Sequence, residues 1–339
     1  MANPTVRYVC RRVAIYLFTL WASVTLAFFL FRFMPGDPMS VVLGTLSQNT
    51  GKVAGNEEIA AYYRRLYELD RPVIVQYFKY IYNVVTGPLN LGPSFTAFPR
   101  PVQELIAFHM PWTLGLVSVA MLIAWLLGTA IGTLVGWWRH RRISTLAVLL
   151  STFFAIVPVY ILGIALIMLM GYTLKVLPTG RPYSPGLEPD WTSWSFIADV
   201  LRHAILPILA MLLVWGANFV NQMRALTISV LGEDYLTYAK AKGLKPTTIL
   251  RRYAFRNALL PQVAGLGIVL GATLNGAYLI EVIFLYPGLG GLFARASGIR
   301  DFNVMQGVIL FSSFAVLTGS LIVDLMLPLL DPRIRRSND

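Results

Sequence analysis

Residues able to do chemistry are few in this sequence and badly spaced for it. The three histidines, His109, His140 and His203, and the single cysteine, Cys10, lie far apart along the chain. No two of them sit at separations that ligate a metal or couple a nucleophile to a base. Cys10, near the start of an apolar run, reads as a small apolar filler. Thr50-Gly51-Lys52-Val53 mimics the end of a phosphate loop, but the first glycine's place holds Leu46 and the closing hydroxyl residue is Val53. No Walker pattern occurs, so ATP is not bound by that device. Arg32, Glu281 and Asp324 are the ionisable groups bordering apolar runs. Each falls near a run's end and not at mid-depth, where ion-coupled transport keeps its costly charges. The sequence therefore predicts no catalytic, cofactor-binding or metal-binding residue.

What stands out instead is a stretch without chemistry, from Gly232 to Pro261, between two long apolar runs. Glu233 and Asp234 open a short helix, where acids are favoured by about 0.3–1 kcal/mol each. Lys240 and Lys242 fall in its last turn, again with the helix dipole. Gly243 fits the left-handed position just past a helix end, and Pro246 suits the first turn of the next helix. That second helix continues through Ile249, Leu250 and Tyr253 towards the following apolar run. A basic helix–break–helix of this kind either rests on anionic lipid or is gripped by another protein. The small residues Ala239, Ala241 and Gly243 favour the second.

Composition says where such a surface must sit. Of 339 residues 56% are hydrophobic and only 13% charged, against about 25% charged in a soluble domain. Continuous apolar runs of about twenty residues are membrane helices, not barrel strands, which alternate. The net charge of +12 is concentrated in Arg7, Arg11 and Arg12; in Arg139, Arg141 and Arg142; between Arg224 and Arg256; and in Arg333, Arg335 and Arg336. Only Glu233, Asp234, Asp331 and Asp339 oppose it there. Nucleic-acid binding would not confine the excess to every second loop. The positive-inside rule does, and it predicts a multi-pass protein of the cell (inner or plasma) membrane with both termini cytoplasmic.

The spans that carry the surface follow in order. The first runs from Val13 to Phe33, too long for a signal-peptide core and without a cleavage site, so it reads as a retained anchor. Met34 to Pro111 is an outer segment. Asn56 to Leu69 has helical spacing on one side, and a second helix is predicted over Val73–Thr86. This region is either a small helical cap or an ordered loop with interfacial aromatics. The second span, Trp112–Trp138, aligns Gly128, Gly132 and Gly136 on one face, for close packing within the subunit or against a partner. The third, about Thr145–Met170, has Pro158 as a kink. A polar outer loop, Lys175–Arg202, precedes a shorter fourth span, Ala204–Val220. The fifth is about Leu259–Phe284 and the sixth Val304–Leu330. Six spans put both ends inside, as the charges do.

At this point the sequence resembles the permease subunits of binding-protein-dependent ABC importers, in the dipeptide/oligopeptide/nickel transport branch. The matching pieces cover almost the whole chain: Met34-Pro35-Gly36-Asp37-Pro38, Leu177-Pro178-Thr179-Gly180, His203 through Pro207, and Gly232-Glu233-Asp234-Tyr235. Ala239-Lys240-Ala241-Lys242-Gly243-Leu244, Arg256-Asn257-Ala258-Leu259-Leu260-Pro261, Glu281 before Tyr286-Pro287-Gly288-Leu289-Gly290, and Asp331-Pro332-Arg333 complete the series. Each motif alone is weak, and their order and topology make the set specific. Two departures occur. Thr237 stands where the general loop pattern has a glutamate, a loss common in the peptide branch, and Gly87-Pro88-Leu89-Asn90-Leu91-Gly92 replaces a usual Gly-Asp-Leu-Gly.

The resemblance implies an all-α polytopic fold, the type I ABC importer permease fold. It implies residues 1–34 as tail and first span, 35–110 as an outer cap, 111–331 as the permease core, and 332–339 as a cytoplasmic tail. It also implies a coupling helix at about 233–244, with Glu233, Asp234, Tyr235, Ala239, Lys240, Ala241, Lys242, Gly243 and Leu244 engaging an ATPase. The implied partners are a second homologous permease, two ATP-binding subunits, an extracytoplasmic substrate-binding protein and membrane lipid, with no nucleic acid. ATP and Mg would be bound by the partner ATPases, with no cofactor in this chain and no catalysis by it. Di- and oligopeptides are the implied substrates, with oligosaccharides and nickel complexes as alternatives. An ion-coupled secondary transporter is the reading from another class.

Overall fold

The computed structural model describes residues 4–34, 70–86, 90–94, 97 and 100–330, without side-chain detail at 4–5, 267–276 and 327–330. The predicted Asn56–Leu69 helix, the Pro35–Pro38 turn and the Asp331–Arg333 motif lie outside these residues. Among the described residues there is no strand, only an isolated bridge between Pro93 and Pro101.

The helices in chain order are α1 Pro4–Arg32, α2 Val73–Val85, α3 Val102–Trp137, α4 Arg142–Ile156 and α5 Val159–Leu166, whose end widens into a π-helix at Ile167–Thr173. Next come α6 Trp194–Leu231, α7 Asp234–Ala241 and the single turn α8 Pro246–Thr248. The chain continues through a π-helix at Ile249–Phe255 into α9 Arg256–Ile283, then α10 Leu289–Gly298 and α11 Phe302–Leu330. Among the described residues, α1, α3, α6 and α11 are each long and apolar enough to cross a membrane. The pair α4–α5 makes a fifth crossing if counted as one span.

Two expectations change here. The residue stretch expected as a short fourth span belongs to a helix of 38 residues. At 1.5 Å per residue it is about 57 Å long, well beyond a 30 Å hydrocarbon core. The hydropathy signal stops early because Asn218, Asn221, Gln222 and Arg224 are polar, yet none of them breaks a helix. The third run is more than kinked at Pro158: its halves are bent by 100°. Val157 is extended (ψ 127°), the conformation that a following proline imposes.

Two compact units are distinguished. The first comprises Met1–Val13, Leu114–Tyr286 and Thr318–Asp339, and close packing of α3 on α6 organises it. A methyl added at Gly128 would stand 2.8 Å from the Gly216 carbonyl, one at Gly132 2.6 Å from the Val220 carbonyl, and one at Gly136 3.0 Å from the Arg224 carbonyl. The glycine face thus serves packing within the subunit, the first of the two options that its spacing allowed. Helix α4 is tied to this pair by hydroxyls: Ser144 Oγ donates to the Val135 carbonyl (2.7 Å) and Ser151 Oγ to Asn221 Oδ1 (2.7 Å). Arg12 pairs with Asp324 at 2.9 Å, and Tyr8 Oη donates to the Asp324 carbonyl. Asp324, one of the three ionisable residues bordering apolar runs, therefore pins one helix to another.

The second unit comprises Ala14–Thr113 and Pro287–Leu317. Its core joins Val24 and Phe31 of α1, Ile106 of α3, Leu289 and Leu292 of α10, and Met305 and Val308 of α11. Helix α2 falls one residue short of the expected end. It lies on α1 through Tyr77, whose hydroxyl meets Trp21 Nε1 at 3.1 Å and Thr25 Oγ1 at 2.9 Å. Of its apolar residues, Tyr77 and Ile81 turn inward, whereas Phe78 and Val85 are exposed. Ser94 Oγ donates to Asp301 Oδ2 at 2.7 Å in the buried base of this unit.

Candidate coupling surface

The stretch between α6 and α9 folds as its punctuation predicts. Glu233 is the extended residue before α7, Asp234 lies in the helix's first turn and Lys240 in its last. The helix closes at Gly243, whose φ is +68°. The amide of Gly243 donates to the Lys240 carbonyl (2.9 Å) and that of Leu244 to the Ala239 carbonyl (3.4 Å). These two bonds form a Schellman ending, which needs a left-handed residue between them. Pro246 then starts α8, where its missing N–H leaves no bond unmade.

What fastens α7 is a small apolar footing. Leu236, Ala239 and Ile249 are buried together, with Trp137 of α3, Val230 and Leu231 of α6, Leu244 and Tyr253 packed around them. Asn257 Nδ2 donates to the Tyr235 hydroxyl at 3.0 Å and to the Tyr253 carbonyl at 2.7 Å. The short helix is thereby tied directly to the first turn of α9. From Ile249 to Ile283 the backbone is helical without interruption, π-helix then α-helix.

The opposite side is open. Glu233, Asp234, Thr237, Lys240, Ala241, Lys242 and Gly243 are exposed. Tyr238 projects with 70% of its surface free and Tyr235 with 36%. Lys245, Arg251, Arg252 and Arg256 extend the cationic border. Among the described residues neither acid of this stretch is ion-paired to these cations.

The sequence-predicted residues thus divide. Ala239 and Leu244 belong to the footing and hold the helix in place. Glu233, Asp234, Tyr235, Lys240, Ala241, Lys242 and Gly243 share the open side. Tyr238 was not singled out from sequence, although its spacing from Ala241 marks it: both avoid the side defined by Leu236 and Ala239. Among the described residues no cluster of three His, Cys, Asp or Glu that could hold a metal ion occurs. The arrangement is a short helix held on one side and open on the other.

Gly243 offers a direct check on the ending. A proline there cannot adopt φ +68° and lacks the N–H that meets Lys240. Gly243→Pro is expected to unwind the end of α7 and abolish uptake in a cell-based transport assay, with the protein still in the membrane fraction. Gly243→Ala, which costs about 1 kcal/mol at a left-handed position, is expected to retain most uptake.

Residues 128–336 match the family described as binding-protein-dependent transport system inner membrane component, and residues 5–117 match the N-terminal membrane component of such systems. The oligopeptide transport system permease protein AppB of Bacillus subtilis (strain 168) is 31% identical over 327 residues, 96% of this chain and 98% of that protein. The probable D,D-dipeptide transport system permease protein DdpB of Escherichia coli (strain K12) is 31% identical, covering 92% of each chain. The glutathione transport system permease protein GsiC of Salmonella typhimurium (strain LT2) is 30% identical over 97% of this chain and 98% of its own. The chain belongs to the binding-protein-dependent transport system inner membrane component family, in its dipeptide/oligopeptide branch.

Proposed function

We propose that this chain is one of two homologous six-span permease subunits of an ATP-driven importer. It would form the translocation pathway with its partner and couple to two cytoplasmic ATPases through α7. The observation that carries the reading is a short helix, footed on three other helices, that presents an open face without catalytic chemistry. Substrate would arrive from an extracytoplasmic binding protein. ATP and Mg belong to the ATPases, whose closure would press on α7 and through Asn257 on α9. The alternating basic loops support a cytoplasmic position for both termini and for the α7 surface.

The substrate is peptide-like, since the relatives named above are permeases of oligopeptide, D,D-dipeptide and glutathione transport systems. Oligosaccharides and nickel complexes are the alternatives within the same mechanism. An ion-coupled transporter gains no support, because Asp324 is held by Arg12 while Arg32 and Glu281 stand at the ends of α1 and α9.

Purification of the chain in mild detergent, followed by mass spectrometry of its companions, tests this. A second six-span permease and one or two Walker-containing ATPases are expected. Purification alone, or as a homo-oligomer with ion-driven uptake in vesicles, would overturn the reading.

A further inference from the structure

The long helices of the first unit expose surface of two kinds. On α3 and α4 it is hydrocarbon: Leu122, Leu126, Leu146, Leu149 and Phe153 are all exposed. Lipid tails are equally apolar, so such faces suit the bilayer. Helix α6 differs. No residue from 206 to 217 is exposed, and then Asn218, Gln222, Ala225 and Ser229 open outward in succession. Their spacings of four, three and four put them on one side of the helix.

Helix α9 borders that side with small surface. Ala264 is exposed, and a methyl added to neighbouring Gly265 would stand 2.9 Å from Gln222 Nε2. The two carboxamides are under-used. Asn218 spends one N–H on the Val214 carbonyl at 2.9 Å, and its Oδ1 takes no hydrogen bond among the described residues. Gln222 makes none there. Exposed amides facing hydrocarbon would lose their hydrogen bonds outright, which a membrane helix avoids. Facing water or a polar solute they lose nothing.

We propose that the side of α6 carrying Asn218 and Gln222, with Gly265 of α9 behind it, lines a water-filled pathway. Its carboxamides hydrogen-bond a neutral, amide-rich solute in transit. The assignment rests on the permease reading and names the part of this chain that meets the cargo. Carboxamides present a donor and an acceptor side by side, complementary to the N–H and C=O of a peptide group. The side carries no charge: Arg224, two residues beyond Gln222, turns away, and its Nε is enclosed. Passage of varied peptides is better served by such neutral groups than by a fixed charge that would hold one class. Ala225, Ala264 and Gly265 leave width for the solute. The competing occupant is a helix of the second permease packed dry against the same small residues.

Thiol labelling separates the two. In a Cys10→Ser background, Gln222→Cys, Asn218→Cys and, as a lipid-facing reference, Leu126→Cys are expressed with the whole transport system. Vesicles of both orientations are treated with a membrane-impermeant cationic methanethiosulfonate reagent, which reacts with the hydrated thiolate. Residues 218 and 222 are expected to react, from at least one side, about tenfold or more faster than residue 126. Resistance of both positions from both sides, in a complex that retains its ATPases and still takes up substrate, overturns the pathway assignment and leaves the importer reading standing. A purified complex lacking ATPases overturns both.

Discussion

Ala241→Arg is expected to abolish uptake while leaving the subunit inserted at its normal level. Ala241 is exposed at the end of α7, outside the footing of Leu236, Ala239 and Ile249, so its replacement disturbs no contact within the chain. An arginine there adds to the existing cations Lys240 and Lys242 and stands where the proposed ATPase surface would approach. Enclosing an unpaired charge in an interface costs on the order of 3 kcal/mol, about a hundredfold in affinity. Transport is expected to fall to background, with ATPases lost from the purified complex and the permease band unchanged. Ala241→Ser, small and neutral, is expected to transport normally. Normal uptake by a well-expressed Ala241→Arg protein would remove α7 from the coupling role.

The second large effect is structural. Gly132→Val is expected to prevent accumulation of folded permease. The first carbon added at Gly132 already lies 2.6 Å from the Val220 carbonyl and 2.8 Å from Met223 Cβ, so α3 and α6 must separate. Overpacking commonly costs about 1–3 kcal/mol, and here backbone blocks relief, since a carbonyl cannot rotate aside like a side-chain end. The consequence extends to α7, because Trp137 of α3 and Leu231 of α6 both support it. Gly115 in the same helix is the control: nothing lies within 4 Å of an added methyl. Gly115→Ala is expected to leave unfolding in detergent unchanged. Equal loss in the two variants would mean that the glycines are not what brings the helices together.

Local rules read the coupling stretch well. Gly243 and Pro246 impose backbone conformations that few other residues accept or that proline alone prefers, so the break between α7 and α8 could be placed to the residue. The glycine face of α3 was equally visible, though spacing alone could not say which helix it met. Tertiary properties were less legible. Polar residues in the second half of α6 lower hydropathy without ending the helix, which shortened the expected span. Pro158 announced a disturbance but not its 100° angle, which depends on what α4 and α5 each pack against. Ala239 and Ala241 look alike in sequence, and only the packing of Trp137, Val230 and Tyr253 assigns one to the footing and the other to the open side. The exposed carboxamides of Asn218 and Gln222 had no sequence signal separating them from the partly buried Asn221, which Ser151 satisfies.

Site-specific photocrosslinking from position 238 tests the central claim most directly. Tyr238 is the more exposed of the two tyrosines of α7, at 70% against 36% for Tyr235, and a benzophenone-bearing phenylalanine analogue there keeps its aromatic character. Irradiation of membranes holding the complete transporter is predicted to give one dominant adduct, between this chain and a Walker-containing ATPase. Adducts with lipid alone, in membranes where the ATPases co-purify with the permease, would contradict the account.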